Sequence, residues 1–493
     1  MLERSSSSSW AGWLALVGTA FVLVFAPLYP GRITLAGIPL DTVILTVPIA
    51  ILFGIPLLAR IGPEGFPRIG IELPAIVFLG WALLSAVFTG AQASVIATWV
   101  RYASYLMLVC VVAAVAVDPA RRRMMLWILV IVGSVTVVHG FWQYVNPTVY
   151  IGMDGLDTSV ATRVFATFEN PNFYAEFLVL VFAVTLALVF AEKGVLRYIA
   201  IVLLVAQAMA LLLTYTRGSW LALALGLGIV VLMIDARLIW PFVLSGAAIV
   251  PFVPGVLDRV ASIFSLEGTA SFRLKLWEVA GESIAERPLF GAGLGRFYDA
   301  FRATVLSHPE ITLGYLSYGA HNSYFQLAAE VGILGGIAFA WMVFGSCRMG
   351  AFYNMRMAGD MRSRLVNAAL TAGLVAFAVN AFTSNAFQHP RGAVFFFVLV
   401  GIQAGVGAEF WSSPAVARVR VRKAGTAWAT SYAARVYGSI EGVVGAMLHT
   451  SVTRWLLAHE PIGGGRLLAT SRVARVVIGE GSAGRGEALP GDG

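Results

Sequence analysis

FYAEFLVLVFAVTLALVFA (Phe173–Ala191) carries a single charged side chain, Glu176, and is followed after Glu192-Lys193-Gly194 by a second apolar run, LRYIAIVLLVAQAMALLLTY (Leu196–Tyr215). Only Thr216-Arg217-Gly218 separates that run from a third, SWLALALGLGIVVLMI (Ser219–Ile234). A helix rises 1.5 Å per residue, so runs of this length cross roughly 30 Å of hydrocarbon. Connections this short leave no alternative to helical hairpins, because lipid offers no partner for unpaired backbone groups. The stretch therefore predicts helices that zigzag across a bilayer.

Outward from it the same pattern repeats. Runs at Gly12–Tyr29, Ile38–Ala59, Leu73–Phe88, Ala97–Val117 and Met124–Gln143 precede it, and Leu238–Val253, Ser323–Cys347, Leu365–Asn385 and Gly392–Ala408 follow. The fold predicted is an all-α polytopic membrane protein with about twelve transmembrane helices. The composition agrees, since 59% of the 493 residues are hydrophobic and 12% charged, where soluble domains carry about a quarter. No room remains for a large soluble domain. Residues 1–408 are expected to form the membrane domain, with a large helical outer loop at 254–322. Residues 409–493 are expected to be a cytoplasmic tail, first an amphipathic surface helix and then Gly-rich and disordered. The first run, from Trp10, lacks a small-residue cleavage site and reads as a retained helix.

Charge sets the orientation. Arg60 and Arg68, then Arg121, Arg122 and Arg123, then Lys193 and Arg197, then Arg237, then Arg348, Arg356, Arg362 and Arg364, and finally Arg418, Arg420, Arg422 and Lys423 fall in alternate connections and after the last span. Basic residues mark the cytoplasmic side, so both termini face inward. The net charge of +8 thus reflects topology and points to no nucleic acid. Cys110 and Cys347 lie in or at the end of apolar runs, which disfavours a disulfide or a cysteine metal site. No internal repeat is found, which weakens an inverted-repeat transporter reading.

Against the charge rule, Arg101, Arg163, Arg217, Arg273, Arg296 and Arg391 fall at or near the outer face. Arg217 stands at membrane depth in a tight turn, where a charge is costly unless it is paired or functional. Any one of these arginines is equally explained by snorkelling or by a carboxylate such as Glu169; together they favour an anionic substrate, whose oxygens fit the guanidinium fork. In the outer loop Arg163-Val-Phe-Ala-Thr-Phe-Glu-Asn170-Pro171-Asn172 leads into a span, where the asparagines can cap the helix. In the larger loop, Ser271 can cap a helix bearing Phe272, Leu276, Val279 and Ile284 and ending before Pro288. The chain then re-enters the membrane through His321-Asn322, with Glu330 roughly 13 Å deeper. An imidazole there can take a proton from a sugar hydroxyl at neutral pH, or can merely neighbour a helix cap. Glu330 reads as a buried carboxylate tied to a polar partner.

These segments, namely Arg163 to Asn172, Thr216-Arg217-Gly218, Phe272-Arg273 with Trp277, Pro288-Leu-Phe-Gly291-Ala-Gly293-Leu-Gly295, and His321-Asn322 with Glu330 and Gly332, resemble the O-antigen ligase and O-antigen polymerase superfamily of bacterial inner-membrane glycosyltransferases. The resemblance covers roughly Arg163 to Ala408. It implies a GT-C-like fold, an undecaprenyl diphosphate-linked glycan as donor, and an acceptor hydroxyl on the periplasmic face, carried by the lipid A core in a ligase or by a second lipid-linked glycan in a polymerase. It implies diphosphate binding by Arg217, Arg273, Arg163 and Arg296, general-base catalysis by His321 with inversion, and supporting roles for Asn322, Glu330, Asn170, Asn172, Arg101 and Arg391. No cofactor is implied, membrane lipid is the surrounding partner, and the first outer loop has no Asp-x-Asp, so no metal is expected. The alternative from another class is a lipid-linked glycan flippase, whose cavity the arginines would line; it leaves His321 and the long outer loop without a purpose.

Overall fold

The computed structural model describes residues 10–29, 33–35, 38–40, 42–62, 66–67, 69–146, 163–168, 170–249, 269–305, 319–356 and 361–412. Helices dominate: α1 (Trp10–Leu28), α2 (Thr42–Ile61), α3 (Glu72–Thr89), α4 (Ala93–Ala116), α5 (Pro119–Val145), α6 (Pro171–Ala191), α7 (Gly194–Leu213), α8 (Arg217–Ile234), α9 (Ile239–Ile249), α10 (Thr269–Glu286), α11 (Phe297–Val305), α12 (Ser323–Arg356), α13 (Met361–Asn380) and α14 (Pro390–Ser412). Among the described residues, 10 helices are long and apolar enough to cross a membrane. The chain is a polytopic membrane protein.

The run from Ser219 forms α8 in full, with the polar turn at Thr216 opening the helix at Arg217. The run from Leu238 is described as α9 up to Ile249, and the residues beyond lie outside those described. Ile38–Leu40, assigned above to the second span, is instead strand β2, paired antiparallel with β1 (Ile33–Leu35) in the register Ile33 to Leu40. At the other end α14 continues to Ser412, since no breaker precedes Pro414. The remaining tail, with its expected surface helix and disorder, lies outside the described residues.

Proline and a polar cap start the helices that matter for the site. Asn170 accepts from Asn172 N at 2.7 Å with Pro171 in the first turn of α6, and Pro390 opens α14. Proline there sacrifices no helical hydrogen bond. The core is built by α6, α13 and α14, with α13 against α6 and α8, and α14 against α4. Small residues allow the closest approach: a Cβ on Gly405 would lie 2.5 Å from Ala116 Cβ and one on Gly401 2.7 Å from Val112 Cβ.

The connections sort to two ends. At one, Arg123 forks onto Glu192, with Trp127 Nε1 adding a bond at 3.0 Å, and Arg362 Nε donates to Phe190 O at 3.2 Å. At the other, the segments around residues 163–168, 214–216, 319–323 and 381–389 interlock.

Candidate active site

The turn between α7 and α8 reverses the chain in three residues, and it does so with Tyr215 in the left-handed region at φ 50°. That conformation costs an L-residue about 1 kcal/mol and needs outside support. Arg163 provides it: Nε donates to Thr214 O at 2.8 Å, and Nη2 to Asn172 Oδ1 at 3.0 Å and Thr216 Oγ1 at 3.2 Å. The turn also abuts α13. A Cβ on Gly218 would stand 2.8 Å from Thr383 Oγ1, and Asn380 Nδ2 donates to Ser219 Oγ at 3.1 Å. Arg217, first residue of α8, is thereby fixed at the end of the bundle.

The 163–168 segment is held from both sides. Gln143 Oε1 accepts from Phe165 N at 3.1 Å and Ala166 N at 2.8 Å, while its Nε2 donates to Ala166 O at 3.0 Å. Ala166 is itself left-handed, φ 50°. Arg391, only 1% exposed, donates from Nη1 to Thr167 O at 3.1 Å. Beside it the His389 ring stacks on Phe173 at 3.8 Å. Burial pushes the His389 imidazole down to about 3, with Arg391 and Arg101 adding to the effect. It is a neutral packing histidine at physiological pH.

His321 closes the constellation. Asn322 caps α12, its Oδ1 accepting from Tyr324 N at 3.0 Å and Phe325 N at 3.1 Å, and Ser323 N donates to Ala381 O at 2.8 Å. His321 precedes this cap in the left-handed conformation, φ 47°. The helix expected in the large loop is α10. It starts at Thr269, so Ser271 lies in its first turn and is not the residue before it. Leu276, Val279 and Ala280 of α10 pack with Phe297, Phe301, Ala320 and Ala329, so its apolar face is turned to protein, under the residue that precedes His321. That packing brings Arg273 within electrostatic reach of the imidazole. Burial holds His321 down to about 4, and the Arg273 guanidinium adds to the depression. Burial likewise lowers Arg273, with Arg217 adding like-charge repulsion. Arg217, Arg273 and His321 thus lie within electrostatic reach in series, drawn from α8, α10 and the start of α12.

The other residues singled out in the sequence are placed around this trio. Glu330 is buried and accepts from Gly295 N at 2.8 Å through Oε2 and from Gln326 Nε2 at 3.1 Å through Oε1. Arg296 pairs with Asp299 at 2.9 Å. Arg101 lies over its neighbour Tyr102, 5.9 Å from the ring, within electrostatic reach of His389. Asn170 caps α6 by accepting from Asn172 N, so Asn172, expected as a cap, lies in the first turn and instead accepts from Arg163. Glu169 lies outside the described residues. Sequence reasoning passed over Gln143, Gln326 and His389. A charge misplaced against the topology rule signals an arginine, whereas an amide in an apolar run signals nothing; the one available cue was His389 beside Pro390, a helix-start residue. Among the described residues no three His, Cys, Asp or Glu side chains gather as a metal ion would need.

Residues 199–340 match the family model described as O-Antigen ligase. The match contains Arg217, Arg273, Arg296, His321, Asn322 and Glu330, and leaves Arg101, Arg163, Asn170, Asn172 and Arg391 outside it. No curated protein matches the chain.

Proposed function

We propose, from the match of residues 199–340 to the O-Antigen ligase family model, that the chain transfers a glycan from an undecaprenyl diphosphate-linked donor to a hydroxyl of the lipid A core at the periplasmic face of the inner membrane. The observation that carries this reading is the series Arg217, Arg273, His321, two guanidiniums in each other's field with a neutral imidazole beside them. Two cations that repel one another are stabilised by a dianion between them, and a leaving diphosphate gains negative charge as its bond breaks. In the step proposed, the acceptor hydroxyl gives its proton to His321 as its oxygen bonds to the anomeric carbon. The bond from that carbon to the bridging diphosphate oxygen breaks with its electron pair, releasing undecaprenyl diphosphate held by Arg217 and Arg273. Attack opposite the leaving group inverts the anomeric centre, and the guanidiniums supply the charge that a metal would otherwise bring. Arg163 and Arg296, whose donors already bond Thr214, Asn172, Thr216 and Asp299, support the site from its edge.

The test is the product. The purified chain in liposomes, given lipid-linked glycan and lipid A core without added divalent metal, is expected to put sugar on the core. A lengthened lipid-linked glycan would assign a polymerase acceptor instead, and donor movement across the bilayer without transfer would reveal a flippase.

A further inference from the structure

The interior of the large loop contains a hydrogen-bond chain that the transfer chemistry does not use. Helix α12 is broken at Gly332, φ 79°. The exposed backbone there is taken by the glycine run before α11: Ala292 N donates to Ala329 O at 3.0 Å, Gly293 N to Glu330 O at 2.8 Å, and Ile333 N to Pro288 O at 2.8 Å. Trp81 of α3 closes the junction by donating from Nε1 to Val331 O at 3.0 Å. The Glu330 side chain extends the junction toward the site. It accepts from Gly295 N at 2.8 Å and from Gln326 Nε2 at 3.1 Å, and Gln326 Oε1 in turn accepts from Ala320 N at 3.3 Å. Glu330, Gln326 and Ala320 are 2%, 6% and 0% exposed. The chain of bonds therefore ends on the amide N–H of Ala320, the residue before His321.

We infer that Gln326, oriented by Glu330, is a positioning residue for His321. His321 occupies the left-handed region, uncommon for a non-glycine residue although histidine enters it more often than most, and its backbone is held there by neighbours. On its C-terminal side the Asn322 cap does this. On its N-terminal side Gln326 is the side chain that takes the Ala320 amide. The polarity of the chain is fixed by Glu330, which accepts from both of its neighbours and so requires Gln326 to present its NH2 to the carboxylate and its oxygen to Ala320. A misplacement of the base by about 1 Å costs on the order of 10²-fold in rate. The role assigned to Gln326 rests on His321 acting as the base.

The experiment exploits that polarity. Gln326→Glu puts two carboxylates against each other and is expected to lower kcat for glycan transfer about 100-fold, with the donor KM unchanged. The exchanged pair Gln326→Glu with Glu330→Gln restores every bond, since the amide then at position 330 can accept from Gly295 N and donate to the carboxylate at position 326; transfer is expected to recover to near the wild-type rate. Gln326→Leu, close in volume and without polar atoms, is expected to fold, as judged by thermal unfolding in detergent, and to show the kcat loss. The positioning role is overturned if Gln326→Glu and Gln326→Leu transfer at the wild-type rate while His321→Ala does not, or if the exchanged pair is no better than Gln326→Glu alone. Activity in His321→Ala would instead remove the reading on which the inference stands.

Discussion

A neutral imidazole held down to about 4 by burial and by Arg273 is free to accept a proton at physiological pH, yet it is a weaker base than one titrating near 7. On the function proposed, a diphosphate bound at Arg273 and Arg217 would offset their charge and favour imidazolium, so occupation of the site would raise the basicity of His321. Two outcomes are expected in a pH profile. The acid limb of kcat/KM, which reports the free enzyme, should fall near pH 4, and that of kcat should lie higher, once the donor is bound. Arg273→Gln, which removes the cation and leaves burial in force, should move the kcat/KM limb upward while raising the donor KM. The sign for stability runs the same way as for any histidine depressed below its unfolded value near 6.5: the neutral form favoured on folding loses its contribution as pH falls from about 6.5 toward 4. At this scale the sequence pointed to the arginines because they stand against the charge rule, and to His321 because it lies where the large loop enters a span. It was silent on Gln143 and Gln326, whose amides become informative only when the backbone they bond is known.

Two connections carry the site, and each has a device that the helix pattern does not display. The turn at Thr214–Thr216 depends on Arg163 joined to Asn172. If Arg163 aims the turn, Arg163→Ala and Asn172→Ala should each lower transfer by about tenfold or more and the double variant should fall no further, the non-additivity expected of one network. Additive losses, with only Arg163→Ala weakening competition by inorganic pyrophosphate, would make Arg163 a diphosphate ligand in its own right. The second device is the break in α12. A Cβ on Gly332 would meet Leu289 O at 2.0 Å, with φ at 79°. Gly332→Ala is expected to cost at least about 1 kcal/mol from the backbone angle alone, read as a lower thermal midpoint, and to free the glycine run. The periodic apolar runs made most helices legible, but the cap of α6 was expected at Asn172, two residues beyond the Asn170 that provides it. The hairpin at Ile33–Leu40 was not legible, because short apolar segments carry no length signal that separates strand from helix. The break at Gly332 was equally hidden, since one glycine inside an apolar run is common in membrane helices.

For the whole molecule, the charge sorting and the interlocked ends describe one arrangement. Arg123, Glu192 and Arg362 gather at one end, and the segments bearing Arg217, His321 and Arg391 at the other. With basic connections inside, tags at both termini should be accessible only from the cytosol, and a cysteine placed at Asn385 should react with an impermeant thiol reagent from the periplasm; the reverse labelling would put the site on the wrong side for a donor presented outside. In the proposed step His321 takes the acceptor proton while Arg217 and Arg273 hold the departing diphosphate, and the rate of glycan transfer at pH 7 with saturating donor and acceptor, wild type against His321→Ala, tests it. A fall of about 10²–10⁴-fold is expected for loss of the base, with donor binding and thermal unfolding unchanged; transfer by His321→Ala at near the wild-type rate would contradict it.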